Sequence, residues 1–165
     1  MFVWGIDPGL SRCGYAVVDA AARRPRLVAL GVFTTPPGDS VPERLYAIRQ
    51  DVRALAEEHP PAEVAVERIL FSVNVRTAIG VAQAAGVVMT EGIAAGAEVT
   101  EYSPNEIKLA VAGDGSADKG QVEAMVQRLL RIDKPIRPVD AADAAAIALC
   151  HLAHAPMRSR VAAAR

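Results

Sequence analysis

Phe2-Val3-Trp4-Gly5-Ile6-Asp7-Pro8-Gly9, followed by Gly14-Tyr15-Ala16-Val17-Val18, is the stretch whose reading decides the fold. Phe2 to Ile6 is a short run of β-formers that ends at an acid and a turn signal, since Asp-Pro-Gly is turn chemistry in its own right. Gly14 to Val18 and Leu27 to Thr34 are two further runs of the same kind, the second reached through a polar connection containing Pro25. Short links between consecutive strands favour an antiparallel meander. Pro36-Pro37-Gly38-Asp39 then marks a loop, and Ser40 with Glu43 three residues on forms a capping box for a helix running to about His59. Leu45, Ile48, Val52, Leu55 and Ala56 share one face of that helix, which therefore packs on the sheet. Pro60-Pro61 stops it, and Ala62 to Val66 reads as a fourth strand ending at Glu67. With a helix as crossover, strand four can lie parallel beside strand one. Asp7 and Glu67 then fall at the same end of adjacent strands.

Working outward, a long helix is expected from about Asn74 to Ala95, apolar or small around most of its circumference. A helix with so few polar positions is expected to be buried twice, against its own sheet and against a partner subunit. Gly80, Gly86 and Gly92 cost it helix propensity, and close approach to another helix is a reason to retain them. Ala97 to Tyr102 is a fifth strand. Ser103, Pro104 and Glu106 open another helix, broken at Gly113 and Gly115, and Ala117 to Leu130 gives the next. Pro135 and Pro138 bracket a loop before the last helix, about Asp140 to His154. The expected fold is α/β: a mixed five-stranded sheet, strands one to three an antiparallel meander and strand four parallel to strand one, flanked by helices. Residues 1–155 form one domain, and residues 156–165, with three arginines and no acids, are expected to be a mobile basic tail.

At 165 residues, 52% hydrophobic and 22% charged, the chain is globular and long enough to bury a core, which excludes a disordered tail. Cys13 and Cys150 sit in apolar surroundings without metal-ligand spacing and read as reduced, buried thiols of a cytoplasmic protein. The N-terminus enters a strand pattern at once, so no secretory signal is expected. Ala78 to Val88 is too short for a membrane span. A net charge of −1 decides nothing about nucleic acid, because affinity follows the few cations that reach phosphates.

Charge appears in one unusual place. Val139-Asp140-Ala141-Ala142-Asp143-Ala144-Ala145 puts two acids three residues apart, on one face of an otherwise small and apolar helix. Asp140 alone would suit the positive end of a helix dipole; Asp143 lies one turn further in, where that benefit has faded. If Asp7, Glu67, Asp140 and Asp143 converge, four carboxylates share one pocket, and bound cations make that tolerable. Oxygen-rich sites suit Mg²⁺ or Mn²⁺, and paired ions are a standard device for phosphodiester hydrolysis. The acids therefore point to a metal-dependent nuclease. Taken singly, Glu67 reads more readily as a solvated strand-end acid than as a ligand, Lys108 and Lys119 read as ordinary surface lysines, and Phe71 reads also as core. His59, His151 and His154 show no ligand spacing and read as structural or surface residues.

Gly5-Ile6-Asp7-Pro8-Gly9 with Gly14-Tyr15, Val66-Glu67, Gly113-Asp114-Gly115-Ser116-Ala117-Asp118-Lys119 and Asp140-Ala141-Ala142-Asp143-Ala144 together resemble the RuvC family of Holliday junction resolvases, in order from about residue 1 to 155. The resemblance implies an RNase H-like fold and a homodimer. It also implies paired symmetric nicks in a four-way DNA junction, and work alongside the RuvA and RuvB branch-migration proteins. By position, the catalytic, metal-binding acids are Asp7, Glu67, Asp140 and Asp143, holding two ions per subunit with Asp7 bridging them. Lys108 and Lys119 match the family's active-region lysines, set against phosphates. The loop after Glu67 departs from the pattern: the family's phenylalanine, a wedge or stacking platform at the junction centre, falls on Leu70, with Phe71 next door. Arg68 and Arg76 flank that loop as phosphate contacts. Alternatives stay open. Another RNase H-like nuclease, cutting hybrids or acting in repair, would share the metal chemistry. A non-catalytic junction-binding module would have no use for four acids. An actin-like ATP-binding protein would share Asp7, Gly9 and Gly14 but needs two such domains.

Overall fold

In a computed structural model of the chain the backbone is described for residues 1–21, 24–69 and 75–163, and side chains for the same residues except 75–77 and 156–163. The elements are β1 (Phe2–Asp7), β2 (Arg12–Asp19), β3 (Arg26–Thr34), α1 (Val41–Glu58), β4 (Pro61–Glu67), α2 (Val75–Ala94), β5 (Glu98–Tyr102), α3 (Pro104–Ala112), α4 (Lys119–Leu130) and α5 (Val139–Ala163). The sheet order is β3-β2-β1-β4-β5. β1 runs antiparallel to β2 and β2 antiparallel to β3, while β4 lies parallel to both β1 and β5. This is the mixed sheet expected from the sequence, with the α1 crossover placing β4 beside β1.

Period-two alternation along the central strands divides the core into two layers. Trp4, Ile6, Val64 and Val66 pack with Ile48, Val52 and Leu55 of α1 and Ala84, Ala85 and Val88 of α2. Ala16, Val18 and Ala65 pack on the other face with the small residues of α5, Ala141 to Cys150, and with α3 and α4. α5 can lie unusually close to the sheet because the strands offer it glycines. A Cβ built on Gly5 would collide with the Ala144 carbonyl and stand 2.9 Å from the Ala148 Cβ. One on Gly14 would meet the Asp140 carbonyl and stand 3.1 Å from the Asp140 Cβ. The alanine run of α5 and these two glycines are one device, a helix backbone laid directly on strand backbones.

Capping explains the helix starts. The Ser40 and Ser103 amides donate to Glu43 and Glu106 at 2.9 and 2.8 Å, closing the two expected boxes. α4 begins at Lys119, not Ala117, because the Asp118 carboxylate accepts from the Gln121 amide at 2.9 Å and so ends the preceding turn. Gly113 stops α3 in the left-handed region, at φ 77°. α5 runs as helical backbone through Ala163, past residue 156, where the sequence suggested the domain ends and a tail begins.

Two of the α2 glycines have reasons inside the chain rather than at another helix. Gly80 abuts Leu10, and Gly92 lies 3.3 Å from Val64 and 3.4 Å from Val99 of the sheet, measured to a built Cβ; Gly86 faces open space. Within the chain α2 packs on the sheet and against α1, and its outer side carries the exposed Ile79 and Ile93. Cys13 and Cys150 are free and buried, and burial pushes the Cys13 thiol up to about 12, which keeps it unreactive. His151 is 1% exposed and structural, its Nδ1 3.0 Å from the Tyr102 hydroxyl and its Nε2 against the Glu63 carboxylate, so it ties α5 to β4 and β5.

Candidate active site

The sheet fixes the first two acids. Gly5 faces α5, so alternation turns Asp7, two residues on, to the same side; Ala65 and Glu67 on β4 behave alike. Ile6 pairs with Val66 in register, and Asp7 and Glu67 follow as the last residues of adjacent parallel strands, about 4.8 Å apart by strand spacing. The helix fixes the other two. Gly14 receives the first turn of α5 at Asp140, and Asp143 follows one turn later on the sheet-facing side.

Asp7, Glu67 and Asp143 line an open cavity of about 350 Å³, together with Lys108 of α3, Lys119 of α4, and an apolar floor that includes Ile107, Val122 and Ile147. The acids feel one another strongly. Burial, then Glu67, Asp143 and Asp140, push the Asp7 carboxyl up to about 7, against an opposing pull from Lys119. Burial and Asp143 also raise Glu67, opposed by Lys119 and Lys108. Lys119 Nζ donates to Asp143 Oδ2 at 3.2 Å, and that bond raises the Lys119 ammonium above its usual range. Asp140 is held below the usual carboxylate range by Arg12, whose Nε and Nη2 both donate to Asp140 Oδ2, at 2.9 and 2.6 Å.

Arg12 is the site residue that sequence reasoning missed. A signal was present: Arg12 shares the face of Gly14 by alternation, beyond the end of β1, at the same end of the sheet as the acids. Starting the second strand at Gly14 hid it, whereas β2 begins at Arg12. Arg68 follows Glu67 directly; its amide donates to the Tyr102 carbonyl at 2.7 Å, and its exposed guanidinium reaches the Glu101 carbonyl at 3.3 Å. Leu70 and Phe71 lie outside the described residues, as does the side chain of Arg76.

The donor set is all hard carboxylate oxygen, the chemistry that suits Mg²⁺ or Mn²⁺ and not a thiophilic metal. Two of its four members are engaged with the protein's own cations, Asp140 with Arg12 and Asp143 with Lys119. Among the described residues no three acid, histidine or cysteine side chains are grouped closely enough to enclose an ion as they stand. The residues fit divalent cations by type and by charge demand, and side-chain rotation is what would bring them onto one.

A mixed sheet with the order β3-β2-β1-β4-β5, acids at the ends of β1 and β4, and two more on a helix laid across them define the RNase H-like class of nucleases. The family model "Crossover junction endodeoxyribonuclease RuvC" matches residues 3–151. A RuvC of Salinispora arenicola is 52% identical over 165 residues, covering 99% of this chain and 94% of its own length. One of Streptomyces griseus is 47% identical, covering 98% of this chain and 79% of its own. The solved structure of Thermus thermophilus RuvC in complex with a Holliday junction substrate superposes with a TM-score of 0.90 at 36% identity, covering 96% of each chain. The yeast mitochondrial Holliday junction resolvase Ydc2, at 15% identity and a TM-score of 0.67, shares the fold. The chain belongs to the RuvC family and is a hydrolytic nuclease of crossover junctions.

Proposed function

We propose that the chain resolves four-way DNA junctions as a homodimer, nicking two opposed strands symmetrically, with Asp7, Glu67, Asp140 and Asp143 as cation ligands of each protomer. Divalent-metal dependence goes with the family. The observation that carries the reading is the charge demand around Asp7: burial and then three more carboxylates press its carboxyl up to about 7, and Lys119 offsets only part of this. Two Mg²⁺ or Mn²⁺ ions per protomer would supply an activated water and stabilise the leaving oxygen. Asp7, which feels Glu67, Asp143 and Asp140 together, would be the ligand that serves both ions. Lys119 and Lys108 bring point charges to the DNA phosphates at the rim. The apolar floor of Ile107, Val122 and Ile147 limits water on the far side and strengthens those interactions.

Dimerisation is supported by the outer side of α2, where Ile79, Ile93 and the open Gly86 leave an apolar, close-approach surface uncovered in one protomer. Leu70 or Phe71 would stack on junction bases, with Arg68 and Arg76 on phosphates, and the arginine-containing segment 156–165 would add to DNA contact. RuvA and RuvB are the partners this role implies. The place of action implied is the cytoplasm; no described helix is long and apolar enough to cross a membrane.

The test is cleavage of a labelled mobile four-way junction beside matched duplex and RNA–DNA hybrid, with Mg²⁺, with Mn²⁺ and with chelator. Paired, ligatable nicks in the junction alone, lost with chelator, are expected. Cutting of hybrid or duplex at an equal rate would overturn the substrate assignment.

A further inference from the structure

We infer that Arg12 is a latch on Asp140: it holds this carboxylate away from the cation site until DNA phosphate takes its place on the guanidinium, so that substrate binding and cation recruitment are coupled. The inference rests on the metal-site reading above and concerns how that site is loaded.

Four observations carry it. Both donors of the Arg12 fork converge on a single oxygen, Asp140 Oδ2, at 2.9 and 2.6 Å, a charge-assisted contact. Asp140 is the one member of the acid quartet absent from the cavity lining, which holds Asp7, Glu67 and Asp143. The base of the latch is fixed. Arg44 of α1 donates to Ser11 Oγ at 2.5 Å and to Thr35 Oγ1 at 2.9 Å, and Thr35 Oγ1 donates to the Leu10 carbonyl at 2.6 Å. The Thr35 amide closes on the Ser11 carbonyl at 3.2 Å, so the turn that launches Arg12 is braced from both sides. The moving parts are accessible: the side chain of Arg12 is 49% exposed and that of Asp140 28%, so a phosphate can reach the guanidinium without unfolding anything.

The physical logic is competition. Arg12's hold on Oδ2 fixes the orientation of the carboxylate and offsets its charge, so turning Asp140 to a cation beside Asp7 must compete with the guanidinium. A guanidinium matches phosphate as well as it matches carboxylate, so junction DNA offers Arg12 an alternative partner. Arg12 then leaves Asp140 for the phosphate, and Asp140 is freed for the cation. By linkage the coupling is reciprocal, and a cation that draws Asp140 away frees Arg12 for DNA. An enzyme so built recruits its cations most readily where there is a strand to cut.

The test measures binding, not turnover. Mn²⁺ binding to the DNA-free protein is followed by electron paramagnetic resonance for wild type, Arg12→Ala and Arg12→Lys. Both variants are expected to bind Mn²⁺ about three- to tenfold more tightly, the range for release of an accessible but charge-assisted pair. The lysine variant separates a latch from simple repulsion: it keeps the positive charge but loses the fork, so unchanged affinity in Arg12→Lys with a gain in Arg12→Ala would mean charge alone acts. Weaker Mn²⁺ binding in both variants would mean that Arg12 orients Asp140 for the cation, and either result overturns the latch. The second arm is junction binding in chelator. Asp140→Asn should tighten it, and in the Arg12→Ala background most of that gain should vanish; an equal gain in both backgrounds also overturns the latch. Asp7→Asn is the control for the underlying reading: Mn²⁺ binding that survives it shows the site is elsewhere, whatever Arg12 does.

Discussion

Asp7→Asn should make the cation-free protein more stable at alkaline pH while removing cleavage. The Asp7 carboxyl sits at about 7, against 3.8 for an unperturbed aspartate. Between those two values the native chain holds a proton that the unfolded chain has released, so native stability falls as pH rises through the window, and the cost is complete above about 7. At 1.36 kcal/mol per pKa unit the shift corresponds to a ceiling of about 4 kcal/mol. Partial solvent access and side-chain relaxation reduce this to about 2–3 kcal/mol. Asparagine keeps the shape and carries no charge, so it escapes the cost. The assay is urea or thermal unfolding of wild type and Asp7→Asn in chelator at pH 5.5 and pH 8. At pH 5.5, about midway through that window, the variant should already lead by about 1–1.5 kcal/mol. At pH 8 the variant should lead by about 2–3 kcal/mol, which in a chain of this size is about 4–12 °C in Tm. Mg²⁺ should then raise wild type and leave the variant unmoved. Parallel stability curves at the two pH values, or a variant weaker than wild type at both, would refute the idea that four carboxylates crowd one site.

Other predictions follow from the same geometry. Cleavage should fall as pH drops through about 7, because a proton on Asp7 competes with the cation, and raising Mg²⁺ should move the inflection to lower pH; an inflection indifferent to Mg²⁺ would assign it to another group. Gly5→Ala puts a methyl into the α5 backbone at Ala144 and should cost about 1–3 kcal/mol in urea unfolding, with weaker Mn²⁺ binding as the helical acids are displaced. His151→Phe removes the hydrogen bonds by which α5 holds Tyr102 and Glu63 and should destabilise by about 1–3 kcal/mol, read by the same unfolding curves. Ile93→Glu on the outer side of α2 should shift the protein towards a monomer of 17.4 kDa in sedimentation; an unchanged dimer would place the interface elsewhere.

Much of the fold was legible because its logic is short-range. The turn at Asp7-Pro8-Gly9, the Ser40–Glu43 box and the α1 crossover together fix strand order at the centre of the sheet, and that order alone puts Asp7 beside Glu67. The pairing of Asp140 with Asp143 on one helical face was legible for the same reason. What the sequence concealed depends on distance between elements. Nothing in the pattern says that Gly5 and Gly14 admit the α5 backbone, and so bring Asp140 and Asp143 to the strand ends. Nor does it say that Gly80 and Gly92 answer to Leu10, Val64 and Val99 rather than to a second helix. Arg12 escaped because a strand boundary was set two residues late, at the position where the fork to Asp140 begins. The Asp118 cap was overlooked because Asp114 and Ser116 close a turn of their own just before it.

The most direct test of the central claim is a crystal soaked in Mn²⁺ and measured at the manganese absorption edge. The account predicts two anomalous peaks per protomer within about 2.5 Å of carboxylate oxygens, both touching Asp7, with Glu67 on one side and the Asp140–Asp143 pair on the other. Peaks confined to acids elsewhere, with the cavity beside Asp7 dark at saturating Mn²⁺, would contradict it.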